Sequence, residues 1–298
     1  MTYIIECEDI SKSFGKTNAL VDINIKIQEN KIYGLLGRNG AGKSTLLNII
    51  DAQMFPTTGE VRVFGETPFE NKKVLENICL VKESGMFLKD LKVKDAIYLA
   101  SLFYPNWDTG FAERLLDEFE LDKNKLYKNL SLGMKSQLSI IVGLSGRSPL
   151  TIFDEPYIGL DAPGRQFFYD ILMEDYMNNP RTIILSTHLI DEISNMLEEI
   201  IILHKGKVKI EGNADEIRNK AFYISGDKMQ VENFIKFKKV LHEECMGENM
   251  LAVIYDSLYE KEKAEIYSSD LNISSIPMQQ LFIYLTGGKM VKRGVINE

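Results

Sequence analysis

The eight residues Gly37-Arg38-Asn39-Gly40-Ala41-Gly42-Lys43-Ser44 constrain this chain more than any other segment. They fit the pattern G-x-x-x-x-G-K-[ST] and follow the short apolar run Lys31 to Leu36; Leu46, Leu47, Ile49 and Ile50 then recur at helical spacing. Strand, glycine-rich loop and helix in that order let the backbone curl so that several N–H groups face one anionic centre at the positive end of the helix. Lys43 can then reach the β- and γ-phosphates of a nucleotide while the Ser44 hydroxyl ligates Mg²⁺. A glycine-rich turn without function would account for the glycines, but not for Lys43-Ser44 set between a strand and a helix.

Two further apolar runs end abruptly in polar residues: Leu150 to Phe153 in Asp154-Glu155-Pro156, and Thr182 to Leu185 in Ser186-Thr187-His188. Buried strands rich in Ile and Leu, separated by helical patterns, predict an α/β fold. Its sheet is mostly parallel and covered on both faces, with ligands beyond the carboxyl ends of the strands. There Asp154 could hold Mg²⁺ through a water, and Glu155 could orient and polarise an attacking water. A solvated acidic turn capping the next helix is the plainer reading of that pair taken alone.

Asp95 to Tyr104 and Phe111 to Leu121 read as amphipathic helices joined by the turn-like Pro105-Asn106-Trp107-Asp108, a helical insertion over about 84–146. Glu199 to Val208, with Gly206 in a Lys-Gly-Lys turn, reads as a hairpin. The motif-bearing domain is expected to span 1–219. The remainder, 220–298, holds the alternating Phe222 to Ser225 and Leu251 to Tyr255 and a helical Met278 to Leu285, and is expected to be a small α+β appendage.

Across 298 residues the formal net charge is −8, which offers no electrostatic footprint for a polyphosphate backbone, so no nucleic acid is expected as partner. Cys7, Cys79 and Cys245 lie far apart, fitting neither a metal-binding pair nor a disulfide framework, and read as reduced thiols in a cytoplasm. Glu6, Glu8 and Asp9 stand where a signal peptide would need basic residues. Nowhere do about 18 apolar residues follow one another, the minimum for a spanning helix, so a membrane role is expected to require a partner.

Over Met1 to Asn219 these residues resemble the ATP-binding subunits of ABC transporters. Leu130-Ser131-Leu132-Gly133-Met134-Lys135 looks like that family's signature motif, and its place between the phosphate loop and the strand ending at Asp154 makes a common string specific. The resemblance implies a P-loop NTPase fold of the ABC ATPase type with a helical subdomain. It implies that ATP is held by Gly37, Asn39, Gly40, Ala41, Gly42, Lys43, Ser44 and Thr45, with Phe14 stacked on adenine, although a core ring suits Phe14 equally well. Ser131 and Gly133 would meet the γ-phosphate of ATP held by the other subunit, and Asp161, in Gly159-Leu160-Asp161, would lie in the loop that crosses to it. Glu155 would be the catalytic carboxylate, His188 the switch histidine on the γ-phosphate, and Ser44 and Asp154 the Mg²⁺ ligands; His204 and His242 read as structural.

Two departures from the family pattern stand out. Glu83, closing Ile78-Cys79-Leu80-Val81-Lys82-Glu83, takes the place of the usual Gln that senses Mg²⁺ and water. A carboxylate there can still coordinate the metal and act in catalysis, but it adds negative charge beside the phosphates and alters turnover. Leu132 and Met134 stand where Gly and Gln are commonest. With Tyr104-Pro105-Asn106-Trp107-Asp108 upstream, this is similar to a Gram-positive exporter branch that includes bacitracin-type antimicrobial peptide exporters and the staphylococcal exporter of phenol-soluble modulins. The implied function is an ATP-hydrolysing subunit, paired with a second copy of itself or a homologous ATPase subunit. It would power a separate integral membrane permease from the cytoplasmic face of the cell membrane, with Phe87, Leu88 and Trp107 near the docking surface. A soluble ABC ATPase acting on ribosomes or DNA, or a slow ATP switch throttled by Glu83, are the alternatives.

Overall fold

Every residue of the runs around the phosphate loop and the two acidic and histidine motifs is buried, as strands covered on both faces must be. The computed structural model describes residues 3–82, 87–267 and 269–287. Two compact units emerge, one of residues 1–188 with 196–211, the other of 189–195 with 212–298.

The first unit runs through Tyr3–Phe14 (β1), Thr17–Gln28 (β2), Ile32–Leu36 (β3), Lys43–Ile50 (α1), Thr58–Val63 (β4), Lys72–Leu75 (α2) and Ile78–Lys82 (β5). It continues with Val93–Phe103 (α3), Thr109–Glu118 (α4), Leu132–Ser145 (α5), Leu150–Asp154 (β6), Ala162–Asn178 (α6), Thr182–Thr187 (β7), Glu199–His204 (β8) and Lys207–Asn213 (β9). The central sheet has the order β5-β6-β7-β3-β8-β9, and the pairs from β5 through β8 are all parallel. Parallel neighbours end side by side, so the loops after β3, β6 and β7 open on one edge, as the sequence predicts for a ligand site.

A second, antiparallel sheet, β2-β1-β4, covers α1 from the other side. Ile5, Ile23, Ile25 and Ile27 from this sheet share one core with Leu46, Leu47 and Ile50 of α1 and with Ile152, Ile184 and Ile201 of the parallel sheet. The helix that follows the phosphate loop is thus clamped between two sheets, which fixes the loop at its amino end.

The helical insertion comprises α3, α4 and α5, with the Asp108 carboxylate accepting the Phe111 N–H at 2.8 Å to cap α4. A buried charge cluster supports its base. Arg181 Nη1 lies 2.7 Å from Asp175 Oδ2, both side chains being buried, and Arg147 joins Asp175 (3.3 Å) to Asp108 (2.9 Å). Two guanidinium groups sharing Asp175 offset the desolvation that an isolated buried carboxylate would suffer.

The second unit contains Ile190–Ile193 (α7), Ala214–Asn219 (α8), Ala221–Asp227 (β10), Lys228–Ile235 (α9), Val240–Met246 (β11), Asn249–Tyr255 (β12), Glu260–Tyr267 (α10), Asn272–Ser275 (β13) and Met278–Leu285 (α11). From β10 to β13 the order is β-α-β-β-α-β, and the antiparallel sheet β11-β12-β10-β13 has the split arrangement of a ferredoxin-like unit. Phe222, Ile224, Met250, Ala252 and Ile254 pack with Val231, Ile235 and Ile266 in one core. Tyr223 and His242 instead meet Tyr284 of α11, with ring centroids 6.4 and 5.4 Å apart from it. Residues 189–195 join this unit through a reciprocal pair: Gln279 N–H donates to Asp191 Oδ1 (2.9 Å) and Ile190 N–H to Gln279 Oε1 (3.2 Å). No local pattern signals that membership, because its partners stand 88 and 89 positions apart.

Candidate nucleotide site

The loop after β3 turns into α1 at Gly42, whose φ is +108° and where a Cβ would lie 2.7 Å from the Ala19 carbonyl oxygen; only glycine fits. Behind it the tight β8–β9 turn, with Lys205 and Gly206 both at positive φ, donates the Gly206 N–H to the Ala41 carbonyl at 3.0 Å. The first turn of α1 carries Lys43, Ser44 and Thr45 and no acidic side chain of its own to oppose its positive end. Ser44 is exposed, whereas Lys43 is 6% exposed and donates from Nζ to the Gly37 carbonyl at 2.8 Å.

Asp154 ends β6, buried, with Oδ1 accepting the Ser186 hydroxyl at 2.6 Å. Glu155 follows with φ +52°, a left-handed conformation uncommon outside glycine and concentrated at functional turns. Its N–H donates to the Ser186 carbonyl (3.0 Å), and the kink carries its carboxylate between Lys43 and His188. Oε1 lies 3.2 Å from Lys43 Nζ and Oε2 lies 2.8 Å from His188 Nδ1. His188, one residue beyond β7, keeps 45% of its side chain exposed. Sequence reasoning missed Tyr157: its hydroxyl donates to Glu155 Oε2, lies 3.2 Å from His188 Nδ1 and accepts the Thr187 hydroxyl at 2.7 Å. Burial, then the neighbouring Glu155 carboxylate, pushes that phenol well above its ordinary pKa, so it stays a donor. Nothing in the sequence marks Tyr157 beyond its place in the turn after Glu155.

Ser131, Gly133 and Asp161 form a second cluster. Ser131 Oγ caps α5 by accepting the Met134 N–H (3.2 Å), and Asp161 Oδ1 caps α6 by accepting the Gly164 N–H (2.9 Å). Gly133 and Gly159 are stacked so closely that a Cβ on Gly133 would sit 2.4 Å from the Gly159 carbonyl oxygen. The hydrogen bonds of Ser131 and Asp161 stay on their own helices, so this cluster is not joined to the Lys43 group. Phe14 ends β1 half-exposed, with Lys12 Nζ 5.4 Å from its ring centroid. Glu83 lies outside the described residues. A cavity of 920 Å³ opens elsewhere, at the amino ends of the strands, lined by Asn77, Pro149 and Thr182.

The family model described as ABC transporter matches residues 20–158. The chain is similar to the bacitracin transport ATP-binding protein BcrA of Enterococcus faecalis, 33% identical over 74% of this chain and 72% of that protein. It is also similar to the ABC transporter ATP-binding protein YtrB of Bacillus subtilis (strain 168), 26% identical over 96% of this chain and 99% of that one. Among solved structures it is similar to the ATP-binding cassette MJ0796, seen as a dimer in a post-hydrolysis state bound to ADP and Pi. That likeness has a TM-score of 0.62 and 25% identity, and covers 70% of this chain and 98% of that one. Identity reaching across nearly three quarters of BcrA, on a fold whose phosphate loop, Asp154-Glu155 and His188 converge at one sheet edge, shows that this chain belongs to the ABC transporter family as an ATP-binding, ATP-hydrolysing subunit.

Proposed function

We propose that this subunit works as one of a pair to power a separate integral membrane permease that exports peptides or other antimicrobial compounds, bound at the cytoplasmic face of the membrane. The observation that carries the site assignment is the continuous line of contact Lys43–Glu155–His188 across the carboxyl ends of β3, β6 and β7. In this reading the N–H groups of Gly40 to Thr45 and the Lys43 ammonium hold the β- and γ-phosphates, and the open face of Phe14 takes adenine. Ser44 and Asp154 suit Mg²⁺: a hydroxyl and one buried carboxylate beside a phosphate site match a cation that keeps few protein ligands. Bound there with the nucleotide, the ion would neutralise phosphate charge. Glu83, which stands in the sequence where the family usually carries Gln, is assigned the tuning of turnover.

Hydrolysis follows from the remaining groups. Water attacks the γ-phosphorus, the bond from that phosphorus to the ADP oxygen breaks, and the water proton passes to the Glu155 carboxylate. His188 steadies the γ-phosphate through the ring nitrogen that Glu155 does not hold. Ser131, Gly133 and Asp161 serve the nucleotide of the other copy, consistent with their separation from the Lys43 group in one chain.

Among the described residues no helix is long and apolar enough to cross a membrane, so transport needs a partner. A groove of 210 Å³ on the helical insertion, lined by Phe87, Leu88, Leu99 and Phe103, suits an amphipathic helix of that partner; Leu88 is 74% exposed. Trp107 is half-buried and not among its lining residues. BcrA's bacitracin transport supports the cargo class, and residues 220–298 are read as an assembly element. Reconstitution with the permease in lipid vesicles tests the proposal: Glu155→Gln should keep ATP binding and abolish ATP-driven export, whereas a wild-type hydrolysis rate in that variant would refute the role of Glu155.

A further inference from the structure

Four polar atoms converge on the Tyr157 hydroxyl, Thr187 Oγ1, the His188 N–H, Glu155 Oε2 and His188 Nδ1, and the residue is 5% exposed. Thr187 Oγ1 donates to it at 2.7 Å and the His188 N–H at 3.3 Å, so its lone pairs are occupied. Its single proton is then directed to Glu155 Oε2. The imidazole of His188 stands edge-on to the same ring, centroids 5.9 Å apart, with Nδ1 2.8 Å from that same Oε2.

We propose that Tyr157 is a positioning residue for hydrolysis, using its phenol to lock Glu155 Oε2 and His188 Nδ1 together and so leave Glu155 Oε1 as the oxygen that receives the water proton. This rests on the roles given above to Glu155 and His188. With Oε2 accepting from two donors, its lone pairs are committed. Among the described residues Oε1 has Lys43 as its partner, 3.2 Å away, and a γ-phosphate would draw that ammonium toward itself. The carboxylate then cannot rotate to offer either oxygen, because turning it would break both bonds to Oε2. The same lock orients His188: with Nδ1 2.8 Å from the carboxylate, the tautomer protonated there is favoured and Nε2 is left for the phosphate.

The test uses the full chain with Tyr157→Phe, which removes one oxygen and keeps the ring. The expected result is a kcat lowered about tenfold or more with the KM for ATP and the melting temperature nearly unchanged. Added to Glu155→Gln, Tyr157→Phe should cause no further loss, since both act through one carboxylate. If Glu155→Gln is inactive while Tyr157→Phe turns over at the wild-type rate, the positioning role falls and the assignment of Glu155 stands. If Glu155→Gln hydrolyses normally, the assignment of Glu155 falls and takes this inference with it. A rise in KM matching any fall in kcat overturns the inference by assigning the phenol to nucleotide binding. Should Tyr157→Phe fold poorly, Thr187→Val removes the donor that orients the phenol; a lowered kcat at constant KM supports the proposal, and a wild-type kcat overturns it.

Discussion

Lys43 Nζ lies 3.2 Å from Glu155 Oε1. The ammonium expected to meet the γ-phosphate and the carboxylate expected to activate water are therefore partners of one another, 6% and 14% exposed, where screening by water is weak. In the proposed mechanism nucleotide binding and the release of Glu155 for chemistry would be one event, because a phosphate that draws Nζ away would free the oxygen it held.

From this pairing, the two obvious substitutions differ in kind. Lys43→Ala removes the phosphate counter-charge and should weaken ATP binding by about 2–4 kcal/mol, roughly 30- to 1,000-fold. Glu155→Gln removes the competing carboxylate charge, so affinity should hold or rise while turnover drops about 10²- to 10⁴-fold. Fluorescent-nucleotide titration alongside phosphate release measures both, and an equal loss of affinity in the two variants would contradict the pairing.

Dimerisation should depend on the γ-phosphate. If Ser131 and Gly133 complete the site of the other copy, Glu155→Gln protein should double in mass with ATP and revert with ADP, as read by light scattering. Equal mass with both nucleotides would count against the shared site.

The groove lined by Phe87, Leu88, Leu99 and Phe103 should receive the permease. A photo-crosslinker at Leu88 or Phe103 should capture the membrane subunit, and Leu99→Asp should uncouple hydrolysis from export while sparing basal ATPase activity. Crosslinks confined to residues 220–298 would move the docking surface elsewhere.

Asp51, just beyond α1, gives a pH signature of stability. Burial raises its carboxyl to a pKa of about 6, a rise moderated by its hydrogen bond from Gln53 and by the Lys82 charge. The folded state thus holds this proton more tightly than the unfolded one, and the sign follows: stability is lost as pH climbs from about 4 to about 6 and is then level. Asp51→Asn should change little near pH 4 and stabilise the protein by about 1–3 kcal/mol at neutral pH. Urea unfolding at pH 4.5 and 7.5 would show it; the same gain at both would contradict the assignment.

What could be read from the sequence was what depends on neighbours in the chain. Gly37 to Ser44, Asp154-Glu155 and Ser186 to His188 each carry their strand or helix with them, and helical spacing found α11 at Met278 to Leu285. The sheet β2-β1-β4 passed unread even though Ile23, Ile25 and Ile27 alternate with polar residues. Positive φ at Asp9 and register shifts near Ile10 break the matching rhythm in β1. In the last unit α10 carries mostly charged residues and β13 exposes every residue, so no apolar period announces either. Tyr157 was illegible for another reason: its partners Glu155 and His188 meet only after two strands, whose paired residues stand 32 positions apart, come together.

Gly133 and Gly159 touch backbone to backbone, and Ser136 Oγ adds a bond to the Ile158 carbonyl at 2.5 Å. With no side chain between them to act as a cushion, the start of α5 and the turn before α6 form one rigid lever. If a second copy meets Asp161 and Ser131 as proposed, a pull on one would be passed to the other through this seam. The two contacts would then be released together, and a paired assembly built this way would behave at that seam as a single latch, open or shut, with no half-engaged setting.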